Sequence, residues 1–353
     1  MVTPQPAASS PQVPPPAAPP KRILLDCDPG IDDAFAIVYA CGHPGLDLCG
    51  VTTVAGNVSL ERTTANALSV LEFAGHGQVP VAAGSPVPLL RPFADARHVH
   101  GESGLGQARL PPPRGRPAAQ PATDLLIETI AGSPGEVTLV ATGPLTNIAL
   151  AIRRHPALAS QVADFVIMGG SAGRGNVTPA AEFNIATDPE AAAIVFGAGW
   201  RVTMVGLDVT LQARVGPAVR ERLRGLGRLG SDLLLPGLGG YRADETRPAH
   251  GTAGSGPDGS PGEAGEDPAG DGPAVHDVCA VALAAEPWLF GGRPARVEVE
   301  TMGRWTAGMT VTDFRAPADA CNALVITSVD AARFWDTVVA ACRRLPAAAE
   351  PER

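Results

Sequence analysis

Four aspartates lie within eight residues near the beginning of the chain, in the segment Asp26-Cys27-Asp28-Pro29-Gly30-Ile31-Asp32-Asp33. Four anions this close repel one another and raise each other's pKa unless a cation neutralises them. Carboxylate oxygens are the ligands that hard ions such as Ca²⁺ and Mg²⁺ prefer. The segment therefore predicts a site for a divalent cation.

The same aspartates have two alternative interpretations. Solvated acids at a strand end and a helix cap would need no ligand, because acids are favourable at a helix N-terminus. An aspartyl-phosphate phosphatase would use Asp26 as the nucleophile and Asp28 as the acid. That class of enzyme has Thr or Val two residues after the second aspartate, whereas this chain has Gly30 there. The phosphatase interpretation is therefore the weaker rival.

Strands and helices are predicted to alternate around these acids. The apolar run at 23–25 predicts a buried strand, Pro29-Gly30 a turn, and residues 34–40 a helix. Further strands are predicted at 46–54, 79–84, 137–141, 164–168, 202–205, 297–300, 308–312 and 323–326, and helices at 59–75, 123–131, 145–154, 189–198, 278–285 and 330–343. Repeated strand–helix units predict an α/β fold with an open, mostly parallel, Rossmann-like sheet and helices on both faces.

Polar residues and glycines follow several of the predicted strands. Ligands of such sheets bind beyond the carboxyl ends of the strands. The residues at these positions are Asp26 to Asp33, Asn57, Thr142-Gly143, Gly169-Gly170 and Asp208. Their chemistry indicates one polyhydroxylated or ionic ligand.

Composition limits the domain organisation. The 353 residues are 45% hydrophobic, with a mean hydropathy of +0.09, which is enough for a large core. We expect one folded domain at 21–347, a disordered Pro/Ala-rich tail at 1–20, a short tail at 348–353, and a disordered Gly/Pro/acidic insertion at 251–273.

Charge, hydropathy and cysteine spacing exclude several classes of function. The net charge of −9 and the dispersed basic residues argue against a nucleic-acid partner. No apolar run is long enough to span a membrane, and residues 1–20 lack the features of a signal peptide. The six cysteines form no CxxC pair, which disfavours zinc and predicts reduced thiols in the cytoplasm.

Two histidine-containing segments are candidate parts of the site. Residues 91–107 are rich in glycine and polar groups and predict a loop over the site, in which His98 is expected to be solvated and His100 is a candidate ligand contact. His276-Asp277 opens a predicted helix directly after the insertion. Asp277 there is either a simple helix cap or, with His276, part of a site beside a mobile segment.

Seven motifs in order make the chain resemble the inosine-uridine-preferring nucleoside hydrolase family, from about residue 22 to residue 345. They are residues 26–33, Val54-Ala55-Gly56-Asn57, His100-Gly101-Glu102-Ser103-Gly104, residues 141–147, Met168-Gly169-Gly170, Ala181-Glu182-Phe183-Asn184 and His276-Asp277. The resemblance implies the nucleoside hydrolase fold and hydrolysis of the N-glycosidic bond of ribonucleosides such as inosine and uridine, giving ribose and a free base. It also implies a tightly held Ca²⁺ and assembly into a homodimer or homotetramer.

The resemblance assigns a role to each acid. Asp28, Asp33, Asp277 and the backbone carbonyl of Thr142 would ligate Ca²⁺. Asp28 would also accept a proton from a water whose acidity the cation raises. Asp26 would orient this ligand set from behind.

Carried over by position, the resemblance also predicts how the nucleoside is held. Asp32 and Asn184 would bind the 2′- and 3′-hydroxyls of ribose, Asn176 and Glu182 the 5′-hydroxyl, and Met168 would pack beneath the sugar. The complete predicted substrate-binding set is Asp32, Asn57, His100, Met168, Asn176, Glu182, Phe183, Asn184 and Tyr241. Such contacts suit a reaction that passes through an oxocarbenium-like ribosyl cation.

On the base side, His276 resembles the leaving-group acid of family members that lack purine specificity, and Tyr241 is the candidate base-side tyrosine. The sequence departs from the family between these two residues, and Val278 replaces a proline that commonly follows His-Asp. These departures leave the base preference open. They also keep a third interpretation, a nucleoside-binding protein that retains the metal site without turnover because His276 does not reach the base.

Overall fold

The structure, a computed structural model, describes residues 19–239 and 272–346. The strands are β1 (Lys21–Cys27), β2 (Leu46–Thr53), β3 (Val81–Ala83), β4 (Val137–Ala141), β5 (Asp164–Met168), β6 (Val202–Val205), β7 (Phe290–Val299), β8 (Thr310–Asp313) and β9 (Ala323–Val329). The α-helices are α1 (Ile31–Gly42), α2 (Leu60–Phe73), α3 (Arg97–His100), α4 (Ala122–Ala131), α5 (Thr146–Arg154), α6 (Leu158–Gln161), α7 (Phe183–Thr187), α8 (Pro189–Phe196), α9 (Leu207–Thr210), α10 (Pro217–Arg224), α11 (Leu235–Leu238), α12 (Asp277–Ala285) and α13 (Ala331–Arg344). A π-helix (Leu229–Leu234) and a 3₁₀ helix (Pro287–Leu289) complete the described elements.

The described strands form one open sheet in the order β3-β2-β1-β4-β5-β6-β9-β7-β8. The first seven strands in this order are parallel, and β7 is antiparallel to both of its neighbours. The predicted open, mostly parallel α/β sheet is therefore confirmed. The strand order reverses between β1 and β4, and ligands of open α/β sheets bind at such a reversal.

Helices pack on both faces of the sheet, as predicted, and β1 contributes to both cores. Ile23 and Leu25 face a core that includes α1, α12 and α13, while Leu24 faces a second core that includes α4, α5 and α8. This alternation follows from the two-residue period of a strand. The central strands are buried on both faces, so the edge that carries the acids has a rigid base.

One predicted boundary is wrong by several residues. β7 begins at Phe290 rather than near residue 297. Gly291, Gly292 and Pro294 are poor strand formers, so sequence propensity concealed the first half of this strand. The segment is a strand because it pairs with β9 over residues 290–295.

Several predicted features lie outside the described residues. These are Tyr241, the tail at 348–353, residues 1–18 of the N-terminal tail and residues 251–271 of the insertion. The last two insertion positions, Gly272 and Pro273, are described and buried. Within the described ranges, no helix is long and apolar enough to cross a membrane.

Candidate active site

The predicted cation-binding segment joins the end of β1 to the start of α1, which confirms the predicted strand, turn and helix. Asp32 and Asp33 lie in the first turn of α1. The Gly30 amide donates to Asp33 Oδ2 at 2.9 Å, and the Thr142 hydroxyl donates to Asp33 Oδ1 at 2.8 Å. Because Thr142 directly follows β4, Asp33 links the two strands at which the strand order reverses.

Asp28 is held in a close-fitting clamp. The backbone amide of Asn57 donates to Asp28 Oδ2 at 2.6 Å. Glycines flank the carboxylate on both sides: a Cβ on Gly56 would overlap Oδ2, and a Cβ on Gly143 would lie 2.7 Å from Oδ1. Oδ1 is buried and has no hydrogen-bond partner among the described residues. The clamp therefore fixes the carboxylate and leaves one oxygen available to a ligand.

Asp26 lies behind this clamp and is enclosed by protein. Its Oδ1 accepts hydrogen bonds from the Thr52 hydroxyl at 2.5 Å and from Asn147 Nδ2 at 2.8 Å. Burial raises the pKa of Asp26 to about 7, although these two hydrogen bonds lower it. Its Oδ2 is buried and has no hydrogen-bond partner among the described residues. Asp26 is therefore buried as deeply as Asp28, and Gly30 remains the observation that disfavours the phosphatase interpretation.

Asp277 begins α12 and brings a third buried carboxylate to the same place. It shares a hydrogen bond with Asp33. Burial, followed by repulsion from Asp33, raises the pKa of both Asp28 and Asp277 well above the usual range. Burial also raises the pKa of Asp33 to about 6. The site therefore concentrates more negative charge than buried protein tolerates without a cation.

The residues present fit a divalent cation by charge and donor type. No ion pair among the described residues involves Asp28, Asp33 or Asp277. The uncommitted Oδ1 of Asp28 is the orphaned atom that a cation would satisfy. Across 19–239 and 272–346, no three His, Cys, Asp or Glu side chains already converge as a metal ligand set. The carboxylates of Asp28, Asp33 and Asp277 would therefore have to draw together to hold one ion.

Two predicted ribose-binding amides contact the same groups. Asn57 Nδ2 donates to the Asp28 carbonyl at 3.1 Å. Asn184 Nδ2 donates to the Thr142 carbonyl at 2.9 Å and to the Met168 carbonyl at 3.1 Å. The structure thus brings together predicted residues from the ends of β1, β2, β4 and β5 and the first turn of α7.

Glu182, Asn176 and Phe183 form a second group of predicted sugar contacts. Glu182 is the N-cap of α7, and its carboxylate accepts from the amides of Asn184 and Gly170, each at 2.9 Å. The exposed Asn176 accepts from the Phe183 amide at 3.0 Å. Both acceptor side chains therefore shape the loop before α7. Contact with the 5′-hydroxyl stays a prediction.

The predicted base side contains two histidines near Asp32: His100 is buried and His276 is half-buried. The His276 amide donates to Asp32 Oδ2 at 3.1 Å, and His276 Nδ1 lies 2.7 Å from the Thr210 hydroxyl. His100 Nδ1 accepts from the Ile31 amide at 3.2 Å. Burial lowers the pKa of both imidazoles, and the Asp32 carboxylate opposes this shift.

The expected contrast between His98 and His100 is present. His98 is exposed, whereas His100 is 8% exposed and lies at the end of α3. The loop predicted at 91–107 therefore includes one short helical turn that carries His100. Tyr241 is outside the described residues.

Sequence reasoning missed three positioning features of the site. Gly56 and Gly143 were part of recognised motifs, but their role as walls around Asp28 becomes visible only when the strand ends meet. Asn147 also stood within a motif, and its contact with Asp26 spans 121 residues. Thr210 belonged to no motif, and its contact with His276 spans 66 residues.

Comparison with known proteins decides the family. The sequence model of the inosine-uridine preferring nucleoside hydrolases matches residues 23–336. The chain belongs to this family. It is 42% identical over 332 residues to the inosine-uridine preferring nucleoside hydrolase of Leishmania major, covering 92% of this chain and 98% of the relative. It is 44% identical over 325 residues to the non-specific ribonucleoside hydrolase RihC of Salmonella heidelberg (strain SL476), covering 91% and 98% respectively.

A solved structure supports the same assignment. The purine-preferring ribonucleoside hydrolase from Gardnerella vaginalis superimposes with a TM-score of 0.80 at 31% identity, covering 92% of this nucleoside hydrolase and 98% of that chain. The predicted fold and activity class are thereby confirmed: the protein is an enzyme that hydrolyses the N-glycosidic bond of ribonucleosides. The family is one of metal-dependent enzymes.

Proposed function

We propose that this nucleoside hydrolase uses Ca²⁺, with Asp28 as the general base and His276 as the acid that protonates the leaving base. The observation that carries the proposal is the uncommitted Oδ1 of Asp28 beside two further buried carboxylates, Asp33 and Asp277. Asp28, Asp33, Asp277 and the Thr142 carbonyl would hold the ion. When bound, such an ion supplies a water of lowered pKa and ligand positions for ribose hydroxyls.

Asp28 is suited to take a proton because its carboxylate cannot rotate freely. The Asn57 amide and the two flanking glycines fix its plane, while Oδ1 stays without a protein partner. A fixed base near the attacking water converts a bimolecular proton transfer into an oriented one, and general-base catalysis contributes about 10²- to 10⁴-fold to the rate. Asp26 orients the segment from behind through Thr52 and Asn147.

The sugar would be held by Asp32 and Asn184 at the 2′- and 3′-hydroxyls and by Asn57 near the attacking water. Asn176 and Glu182 would hold the 5′-hydroxyl, with Met168 and Phe183 packing against the sugar. The concentration of carboxylates beneath the ribose would stabilise the positive charge that develops as the glycosidic bond breaks.

The leaving base is a poor anion, so it needs a proton as the bond breaks. His276 would supply it, with His100 on the same side of Asp32 and Tyr241 as a further base-side contact. The relatives described as inosine-uridine preferring and as non-specific support substrates of both base types. We therefore expect the enzyme to accept inosine and uridine.

The deciding experiment measures release of reducing sugar from inosine, uridine, cytidine and adenosine before chelation, after chelation, and after adding back Ca²⁺ or Mg²⁺. We expect activity that disappears on chelation and returns with Ca²⁺. Activity that survives removal of all bound metal would contradict the proposed metal site. Bound calcium without sugar release would instead favour the nucleoside-binding interpretation.

Assembly and compartment are two smaller proposals. Family resemblance supports a homodimer or homotetramer, which light scattering at working concentration would test. The six cysteines are all described and form no disulfide, which supports a cytoplasmic location. Fractionation of the source cells would test that location.

A further inference from the structure

His276 has two ring nitrogens in different environments. Nδ1 lies 2.7 Å from the Thr210 hydroxyl. Nε2 has no hydrogen-bond partner among residues 19–239 and 272–346, and the residue as a whole is half-buried. A ring held at one nitrogen presents the other in a defined direction. The contact made by Thr210 therefore decides which nitrogen faces the ligand.

Thr210 is well placed to hold that ring. It is the last residue of α9 and is fully buried. A hydroxyl both donates and accepts hydrogen bonds, so it stays bonded to Nδ1 whether or not that nitrogen carries a proton. A backbone amide or carbonyl in the same place would suit only one of these forms.

The chain segment after α9 also holds the backbone that leads to His276. Val275 donates to the Ala213 carbonyl at 3.1 Å, and Val215 donates to the Pro273 carbonyl at 2.9 Å. These bonds flank an antiparallel bridge between Arg214 and Ala274. Residues 210–215 therefore set both the path of the backbone before His276 and the direction of its ring.

This segment is itself fixed to the sheet. Gln212 Nε2 donates to the Asp208 carbonyl at 2.7 Å and to the Thr327 carbonyl at 3.0 Å. Since Thr327 belongs to β9, the segment carrying Thr210 is tied to a strand of the parallel sheet. Thr210 thus transmits the rigidity of the sheet to a side chain on a different element.

We propose that Thr210 is a positioning residue that orients the His276 ring so that Nε2 faces the leaving base. The inference rests on the proposed acid role of His276. In that step the electron pair of the C1′–N bond passes to the base, which takes a proton from Nε2 of the His276 imidazolium and leaves a neutral ring protonated at Nδ1. Water adds its OH to C1′ and gives its other proton to Asp28, so ribose and the neutral free base are the products. Nδ1 keeps its hydrogen bond to Thr210 throughout.

The test compares Thr210→Val, which removes the hydroxyl at constant shape, with Thr210→Ser, which keeps it. Thr63→Val is the matched control, because Thr63 is equally buried and its hydroxyl donates only to the Leu60 carbonyl of its own helix. Each variant is assayed on inosine, on uridine and on p-nitrophenyl riboside, whose leaving group needs no proton. Melting temperatures establish that each variant is folded, and Thr210→Ala replaces Thr210→Val should the latter not fold.

We expect Thr210→Val to lower kcat on inosine and uridine roughly 10- to 100-fold, with little change on p-nitrophenyl riboside, because only the first two need a positioned acid. Thr210→Ser and Thr63→Val should retain activity. Equal losses on all three substrates, or a Ser variant as slow as the Val variant, would overturn the inference.

A double-variant cycle separates this inference from the role of His276 itself. In a His276→Ala background the Thr210→Val change should cause no further loss, because the ring that it orients is gone. A loss of the same size in both backgrounds would show a purely structural role. If His276→Ala alone slowed all three substrates equally, the proposed acid role would fail and the inference about Thr210 with it.

Discussion

The two halves of the candidate site are built differently. The cation–ribose half, formed by Asp28, Asp33, Thr142 and Asn184, comes from residues at the ends of neighbouring central strands or bonded directly to them, and all four are at most 5% exposed. The base half, formed by His100, Thr210 and His276, comes from short helices and the segment after residue 271. The first half is therefore part of the sheet edge, while the second is supported by connections.

This difference explains how one fold can keep its chemistry while its base preference varies. Changing a residue of the cation–ribose half disturbs a network that joins β1, β2 and β4. Connections outside the sheet tolerate substitution more easily. We therefore expect variants of the first half to affect every substrate alike, and variants of the second half to affect substrates according to their leaving groups.

The largest expected effect tests the first half. Asp28→Asn should lower kcat about 10⁴-fold on inosine, uridine and p-nitrophenyl riboside alike, because it removes the base and a proposed ligand of the ion. Steady-state kinetics with saturating Ca²⁺ would measure it. Asp95→Asn is the control, since Asp95 bonds only Arg97 near the surface. A loss confined to the natural nucleosides would place Asp28 in the base half instead.

The next effect tests the second half. His276→Ala should slow hydrolysis of inosine and uridine about 10²- to 10³-fold but that of p-nitrophenyl riboside far less, because only a natural base needs a proton to leave. The ratio of kcat values for the two substrate types is the measurement. His98→Ala, at an exposed position, should leave both rates unchanged. Should the three substrates slow equally, the base half would have no separate role.

A smaller loss is expected from tightening the Asp28 clamp. The added methyl of Gly56→Ala overlaps Asp28 Oδ2, so the carboxylate must move. We expect kcat to fall about 100-fold on all substrates, since a displacement of about 1 Å costs that much in an oriented site. Gly225→Ala is the matched control, because an added Cβ there meets only the Arg222 carbonyl at 3.4 Å. Unchanged kinetics for Gly56→Ala would mean that the clamp is not rigid.

The sequence predicted the cation–ribose half better than the base half, for a physical reason. β5 and β6 have the predicted bounds, because their apolar runs are short and buried on both faces. Residues at strand ends converge wherever the sheet is parallel, so strand prediction also brought Asp28, Thr142 and Asn57 together. Local patterns contain no such rule for Thr210, which meets His276 only because the residues after α9 pair with the backbone that leads to His276. The first half of β7 was missed for the related reason that its pairing with β9 overrides the weak strand propensity of its glycines.

The two halves should also differ in how they contribute to stability. In the absence of metal, burial raises the pKa of Asp26 to about 7 and that of Asp33 to about 6, above the usual value of 3.8. Between about pH 4 and pH 7 the folded protein therefore holds protons that the unfolded chain has released, and stability falls as the pH rises through this window. A cation favours the ionised carboxylates and so opposes this loss. Calcium should therefore raise the melting temperature more at pH 7.5 than at pH 5.

Scanning calorimetry with chelator and with Ca²⁺ at both pH values measures this effect, and two variants assign it to one half. At calcium concentrations about 100-fold above Kd, binding to the folded state alone adds about 2.7 kcal/mol. His276→Ala should keep the full calcium response, since it removes no proposed ligand. Asp28→Asn should lose most of that response and should be more stable than the wild type without metal at pH 7.5, because one buried charge is gone. If both variants responded to calcium equally, stability would not distinguish the halves, and the ion would lie outside the acids at the end of β1.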